Sequence, residues 1–266
     1  MAMLQLRNIH KTFNAGSVNE KHALCGLNLH LNAGDFATVI GGNGAGKSTM
    51  LNAISGVWPI DEGQILIDGQ DVTKLPEFKR ATYLGRVFQD PMLGTATNME
   101  IQENLALAKR RGKARTLRWR ITQQERTQYR ELLKTLDLGL EDRLTSKVGL
   151  LSGGQRQALT LLMATLTKPK LLLLDEHTAA LDPKTAAKVL EISDRIIAEN
   201  NLTALMVTHN MRDAIAHGNR LIMLKDGQII LDISGPEKQN LTVENLLAKF
   251  AMAAGEELAN DRMLLS

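Results

Sequence analysis

The 266-residue chain is short of cysteine and of aromatic residues: one Cys, five Phe, two Trp and two Tyr. With Cys25 alone no disulfide can close within the chain, and a reducing compartment fits. No apolar run approaches the ~18–20 residues needed to span a bilayer. The opening Met-Ala-Met-Leu-Gln-Leu-Arg lacks the apolar centre of a secretory signal. These absences predict a soluble, cytoplasmic chain. Internal repeats and low-complexity segments are also missing. What is present is aliphatic: hydrophobic residues make up 44 % of the chain. Its core must therefore be built from Leu, Ile, Val, Ala and Met, and the length suits one large α/β domain or two smaller ones. The formal charge is only +3, with a pI near 9. Lys109, Arg110, Arg111, Lys113, Arg115, Arg118 and Arg120 nevertheless cluster. Such a run could meet nucleic acid or an anionic membrane face, or be a solvated surface.

The stretch Gly41-Gly42-Asn43-Gly44-Ala45-Gly46-Lys47-Ser48-Thr49 fits G-x-x-x-x-G-K-[ST] residue for residue. It follows an apolar strand-like run, Phe36 to Ile40, and precedes a plausible helix, Ser48 to Ser55. Glycines let the backbone curl so that several N–H groups point at one oxyanion, and the helix N-terminus adds partial positive charge. Lys47 is placed to reach β- and γ-phosphates, and the Ser48 hydroxyl to ligate Mg²⁺. The rival reading is a glycine-rich turn with no ligand.

Around this loop, Met3 to Leu31 reads as strands and turns ending at Asn32-Ala33-Gly34-Asp35. Gln64 to Ile67 and Tyr83 to Phe88 are further strands. From about Met92 to Leu151 charge rises and helical spacing appears, with Tyr129, Leu132, Leu133 and Leu136 on one face. This predicts a helical insertion, taken to span about 92–166, within a domain of residues 1–240. The segment Gln155 to Leu166 is apolar on almost every side, as a buried helix would be. Leu171 to Leu174 is a strand of the kind found inside parallel sheets. Asp182-Pro183 opens a helix whose buried stripe is Val189, Ile192, Ile196 and Ile197. Ala204 to Val207 is the next strand, and Leu221–Leu224 with Gln228–Ile233 form a closing pair. Val243, Leu246, Leu247 and Phe250 mark an amphipathic helix in a C-terminal extension, 241–266.

Two acids, Asp175 and Glu176, end the Leu171–Leu174 strand, where ligands of open α/β sheets bind. Asp175 would help hold the Mg²⁺ shell, and Glu176 could take a proton from an attacking water. Upstream, Leu151-Ser152-Gly153-Gly154-Gln155 is placed between the helical insertion and the acidic strand. Ser152 is a good N-cap on its own. In this position, however, the full pentapeptide resembles the signature of the ATP-binding cassette family, the nucleotide-binding subunits of ABC transporters, and the resemblance covers roughly Met3 to Ile233. It implies an α/β fold: a P-loop NTPase core with a mostly parallel sheet, an N-terminal antiparallel β subdomain and a helical insertion. It further implies that Gln89 contacts Mg²⁺ or the attacking water and hinges the insertion. Asp182 matches the D-loop while also capping a helix. His209 matches the histidine that hydrogen-bonds the γ-phosphate. Phe13 matches the aromatic that stacks on adenine, with core packing as the rival role. His177 departs from the pattern, standing where most members have proline. That variant looks like a branch of bacterial uptake systems often linked to amino-acid-like solutes.

In the family two subunits dimerise head to tail. Each ATP then lies between the phosphate loop of one copy and Ser152, Gly153, Gly154 and Gln155 of the other. The resemblance implies an ATPase that drives a separate transmembrane permease from the inner face of the membrane, with a solute-binding protein in the same system. Alternatives are an exporter or lipoprotein-extraction ATPase and, with no nucleic acid expected here, a soluble cassette ATPase acting on nucleic acid or ribosomes.

Overall fold

Alternating leucines in the first thirty residues fold into a long antiparallel hairpin, β1 (Ala2–Phe13) with β2 (Lys21–Asn32), in a computed structural model that describes residues 2–112 and 121–254. Next come β3 (Phe36–Ile40), buried along its whole length, and α1 (Lys47–Ser55). The chain then returns to the hairpin. β4 (Glu62–Ile67) pairs with β1 and with the short β5 (Gln70–Asp71), completing a sheet of order β2-β1-β4-β5. α2 (Glu77–Arg80) and β6 (Leu84–Val87) lead to α3 (Ile101–Lys109) and α4 (Gln123–Lys134). A 3-10 turn at Val148–Leu150 precedes α5 (Gly153–Thr165). Strand and helix then alternate: β7 (Leu171–Asp175), α6 (Pro183–Glu199), β8 (Thr203–Val207), α7 (Met211–Ala216) and β9 (Arg220–Lys225). The described chain ends with β10 (Gln228–Ser234), α8 (Gly235–Gln239) and α9 (Val243–Ala254).

The second sheet has the order β10-β9-β3-β8-β7-β6, parallel throughout except for the β9–β10 pair. Its strands read as apolar runs because both faces are covered. Successive side chains point to opposite faces, so the sheet separates two cores. Leu172, Leu174, Ala204 and Met206 face a core shared with α5, α6 and the insertion, including Ile101, Leu105, Tyr129 and Leu133. Leu171, Leu173, Leu205 and Val207 face the other, shared with α1 and the antiparallel sheet. A third cluster packs α7 and α9 against β9, β10 and Ile40.

Several boundaries differ from the sequence reading, each for a local reason. The phosphate-loop helix begins at Lys47, one residue early, with Gly46 in a left-handed conformation as its N-cap. The signature helix begins at Gly153 and not at Gln155, because Ser152 and Gln155 form a reciprocal capping box just before the apolar stretch. That helix packs on α6 and β6, so it joins the insertion to the main sheet. α4 ends at Lys134, although Leu136 beyond it is buried with the same face. The helices α2, α7 and α8 had no counterpart in the reading, and α3 lies in the stretch read as helical without having been delimited there. Arg80, at the end of α2, is buried and donates to the carbonyls of Ala53 and Ile54 on α1, and to those of Thr73 and Leu75. It thereby gives Ile54 O, in the last turn of α1, a donor of the kind that a helix end lacks. Within the basic run, Lys109 bonds Gln128, Arg110 bonds Glu125 and Arg111 bonds Thr167. Lys113, Arg115, Arg118 and Arg120 lie outside the described residues, as does the polar tail beyond 254. Among the described residues no helix is long and apolar enough to cross a membrane.

Candidate active site

Two glycines explain why the loop after β3 takes its shape. A Cβ on Gly41 would sit 2.3 Å from the Leu224 carbonyl oxygen, and one on Gly46, at φ +104°, would sit 2.6 Å from that of Ala23. The loop is thus pressed against β2 and β9, and the Gly227 N–H bonds Ala45 O at 3.0 Å. No side chain caps the N-terminus of α1, which leaves its first-turn N–H donors open to an anion. Lys47 is buried beneath the loop and donates to the carbonyls of Gly41 at 2.7 Å and Gly42 at 3.2 Å. Burial lowers its pKa, against the opposing attraction of Glu176 and Asp175. An uncapped helix end beside a buried ammonium that donates to neutral carbonyls is chemistry that fits a polyphosphate. Asn43, Gly44 and Ser48 are exposed, Thr49 is half-buried and Ala45 is buried.

At the end of β7 the two acids diverge. Asp175 Oδ2 lies 3.1 Å from Arg86, which also bonds Asn52 and Ser55 of α1. Desolvation raises the Asp175 pKa, with Arg86 pulling the other way and Glu176 adding to the rise. Glu176 turns away on a left-handed backbone, φ 44°, with its N–H bonded to Val207 O at 3.0 Å. Its carboxylate lies 3.4 Å from His209 Nδ1. His209 is held on the turn after β8, where Asn210 caps α7 by accepting from the Arg212 and Asp213 N–H groups. The structure thus brings together Glu176 and His209, and places Lys47 within electrostatic reach of both acids. Thr208, Asn210, the 178–181 turn and the start of α6 line a cavity of about 630 Å³ beside that pair. Among the described residues no three His, Cys, Asp or Glu side chains converge on a metal site. Magnesium is commonly bound through one or two carboxylates together with substrate phosphates. Asp175 offers such a carboxylate and Ser48 a hydroxyl, and Gln89 is exposed beyond β6.

Phe13 is half-buried at the hairpin end, opposite Lys21, whose ammonium approaches Gly44. Its ring meets Trp58 edge to face, centroids 5.0 Å apart, with Lys11 5.6 Å from the Phe13 centroid. Asp182 caps α6 by accepting from the Thr185 N–H, ahead of Pro183. His177 is buried against α6, its Nε2 3.0 Å from Ser193 Oγ. Ser152 and Gly153 are exposed, while Gly154 is buried against Thr185. They are not joined to the phosphate loop. α5 packs in the core on one face of the sheet and α1 in the core on the other.

Three contributors escaped the sequence reading. Trp58 follows α1 without any motif. Gln157 donates to Phe88 O at 3.1 Å, tying the signature helix to the residue before Gln89. Arg86 had a visible signal, a cation within an otherwise apolar strand, which must find a partner when buried.

Comparison with known proteins agrees with this geometry. The sequence pattern described as ABC transporter matches residues 24–179. The tyrosine transport ATP-binding protein of Clostridioides difficile is 47 % identical over 251 residues, 94 % of this chain and 100 % of that protein. The spermidine/putrescine import ATP-binding protein PotA of Haemophilus influenzae is 32 % identical over 93 % of this chain and 62 % of its own length. A solved ATP-binding cassette, dimeric in a post-hydrolysis state with ADP and Pi, superposes with a TM-score of 0.74 at 30 % identity, covering 87 % of this chain and 98 % of that one. A phosphate loop, an acid pair beside a histidine and an exposed signature, carried on one sheet and matched over this length, place the chain in the ABC transporter family, among its ATP-binding proteins.

Proposed function

We propose that the chain is the ATPase of an importer for an amino-acid-like solute, working as a head-to-tail dimer on a separate membrane permease. Proteins of this family hydrolyse ATP with Mg²⁺ as the usual cofactor, dimerise, and work with a permease. The observation that carries the dimer is the separation of α1 and α5 across the sheet. A single copy offers the triphosphate one helix N-terminus. The uncapped α1 donors and Lys47 hold the phosphates, while Ser152 and Gly153 of a second copy bring fresh N–H donors to the γ-phosphate. Such an interface is isologous, each copy giving what it receives. Without nucleotide those donors face no anion, and the dimer opens.

Within each site Glu176 accepts a proton from the water that attacks the γ-phosphorus, giving ADP and phosphate. His209, beside it, donates to the γ-phosphate, and Lys47 balances charge on the β- and γ-oxygens. Magnesium, when bound, neutralises phosphate charge, and Ser48, Asp175 and Gln89 are the residues to hold or face it. Gln89 passes the change to the insertion through a segment that α5 grips. Gln157 bonds Phe88 O, and a Cβ on Gly94 would lie 2.6 Å from Thr160 Cγ2. Exposed Met92 and Leu93 follow directly and suit an apolar partner. The amino-acid-like solute is supported by the tyrosine transport protein at 47 % identity.

Affinity purification of the tagged chain from detergent-solubilised membranes tests this reading. A polytopic membrane protein together with a solute-binding protein is the expected catch. A permease without a binding protein would favour export. RNA or DNA without a membrane protein would overturn the transporter reading.

A further inference from the structure

We propose that Arg86 is a positioning residue for magnesium. It ties the Asp175 carboxylate to the second half of α1, the helix whose second residue, Ser48, is the hydroxyl for the same ion. The inference rests on reading Asp175 as the metal-facing acid.

The guanidinium spans three elements. One terminal nitrogen donates to Asn52 Oδ1 at 2.8 Å and to Asp175 Oδ2 at 3.1 Å, and the other donates to Ser55 Oγ at 3.1 Å. The Phe88 ring lies 4.6 Å from the guanidinium carbon. Asn52 and Ser55 belong to α1, Asp175 to β7, and Arg86 and Phe88 flank the approach to Gln89. The three residues read as metal-facing therefore leave from elements that this one side chain connects. Among the described residues the Arg86 bond takes Oδ2 of the carboxylate, which leaves Oδ1 for the ion or a water on it.

A purely structural brace accounts less well for this arrangement. Arg86 shares the α1-facing side of β6 with buried Leu84. A well-packed apolar side chain there would serve stability as well as a buried ion pair. The Nε of Arg86 is itself buried and unpartnered among the described residues, a cost the fold bears for the sake of the charge. Groups that orient a metal's carboxylate ligand commonly change metal affinity by about 10–100-fold when removed.

The test is calorimetric titration of a non-hydrolysable ATP analogue into the full chain, with saturating Mg²⁺ and with EDTA. The wild type, Arg86→Met, Arg86→Lys and Asp175→Asn are compared, each checked for a native melting transition. The readout is the factor by which magnesium tightens nucleotide binding. We expect Arg86→Met to lose about tenfold of that factor while its EDTA affinity stays at the wild-type value. Arg86→Lys keeps the charge without the second nitrogen and should retain part of the factor; it carries the test alone if the methionine variant does not fold. If the Arg86 variants keep the full wild-type factor while Asp175→Asn loses it, the role of Arg86 is overturned and the metal reading stands. If Asp175→Asn also keeps it, or the wild type shows no tightening, the metal reading falls and takes this proposal with it.

Discussion

Glu176 adopts a left-handed backbone, which an unbranched, non-glycine residue accepts only at some cost in strain. The strain is anchored by the bond from its N–H to Val207, and its effect is to turn the carboxylate from the Asp175 side towards His209. Glu176→Gln keeps the size and removes the basicity. ATP turnover is expected to fall about 10²–10⁴-fold with nucleotide binding intact; turnover near wild type would rule out the base. His177, next in the chain, does different work. Burial chiefly, with His217 adding, drives its pKa down to about 4, against the pull of Asp194. It is neutral when folded and titrates near 6.5 when unfolded, so protons favour the unfolded chain. Its contribution is therefore complete above pH 6.5 and fades as the pH falls towards 4, by roughly 3 kcal/mol. His177→Leu should flatten the urea midpoint against pH across that window. A slope as steep as the wild type's would contradict the assignment.

At the level of elements, the contact between α5 and α6 carries the signature. Gly154 lies so close to α6 that a Cβ there would come 2.1 Å from Thr185 Cγ2. Gly154→Ala should lower stability by about 1–3 kcal/mol through overpacking. Adding Thr185→Ser removes the clashing methyl and leaves the Asp182 cap, which uses the Thr185 backbone N–H. The double variant should regain most of the lost stability in a urea melt, and no recovery would place the strain elsewhere. The elements also show which stretches were legible along the chain. The phosphate loop, the signature and the β7 acids are contiguous stretches whose residue types are dictated by local geometry, and they were readable as such. α3 was not delimited within the stretch read as helical because it opens on Glu100 and Glu103, a capping box without the usual Ser or Thr. α2, α7 and α8 span six residues or fewer, too few to show a period. Arg86 and Gln157 act through partners 31 to 89 positions away, and spacing along the chain holds no trace of such pairs. The core role of His177 depends likewise on Ser193, a full helix distant.

For the whole molecule, the sheet is a partition. Leu171 and Leu173 look towards α1, Leu172 and Leu174 towards α5. The Gly41–Ser48 loop and the signature therefore belong to different cores, and on the proposed reading the site is completed between copies. α8 and α9 pack against the sheet of their own chain. Lys238 of α8 is buried and donates to the carbonyls of Ile215, His217 and Gly218, and Leu246 of α9 packs with Met211 and Ile40. Nothing in that packing blocks Ser152 or Gly153, both exposed. Disulfide trapping tests the partition most directly. Asn43→Cys and Ser152→Cys are introduced together with Cys25→Ser and Glu176→Gln, and cross-linking is followed on a denaturing gel. The account predicts a covalent dimer that forms with Mg·ATP and not with ADP or without nucleotide. A chain that stays monomeric when loaded with ATP, or that closes the same disulfide within one copy, would contradict it.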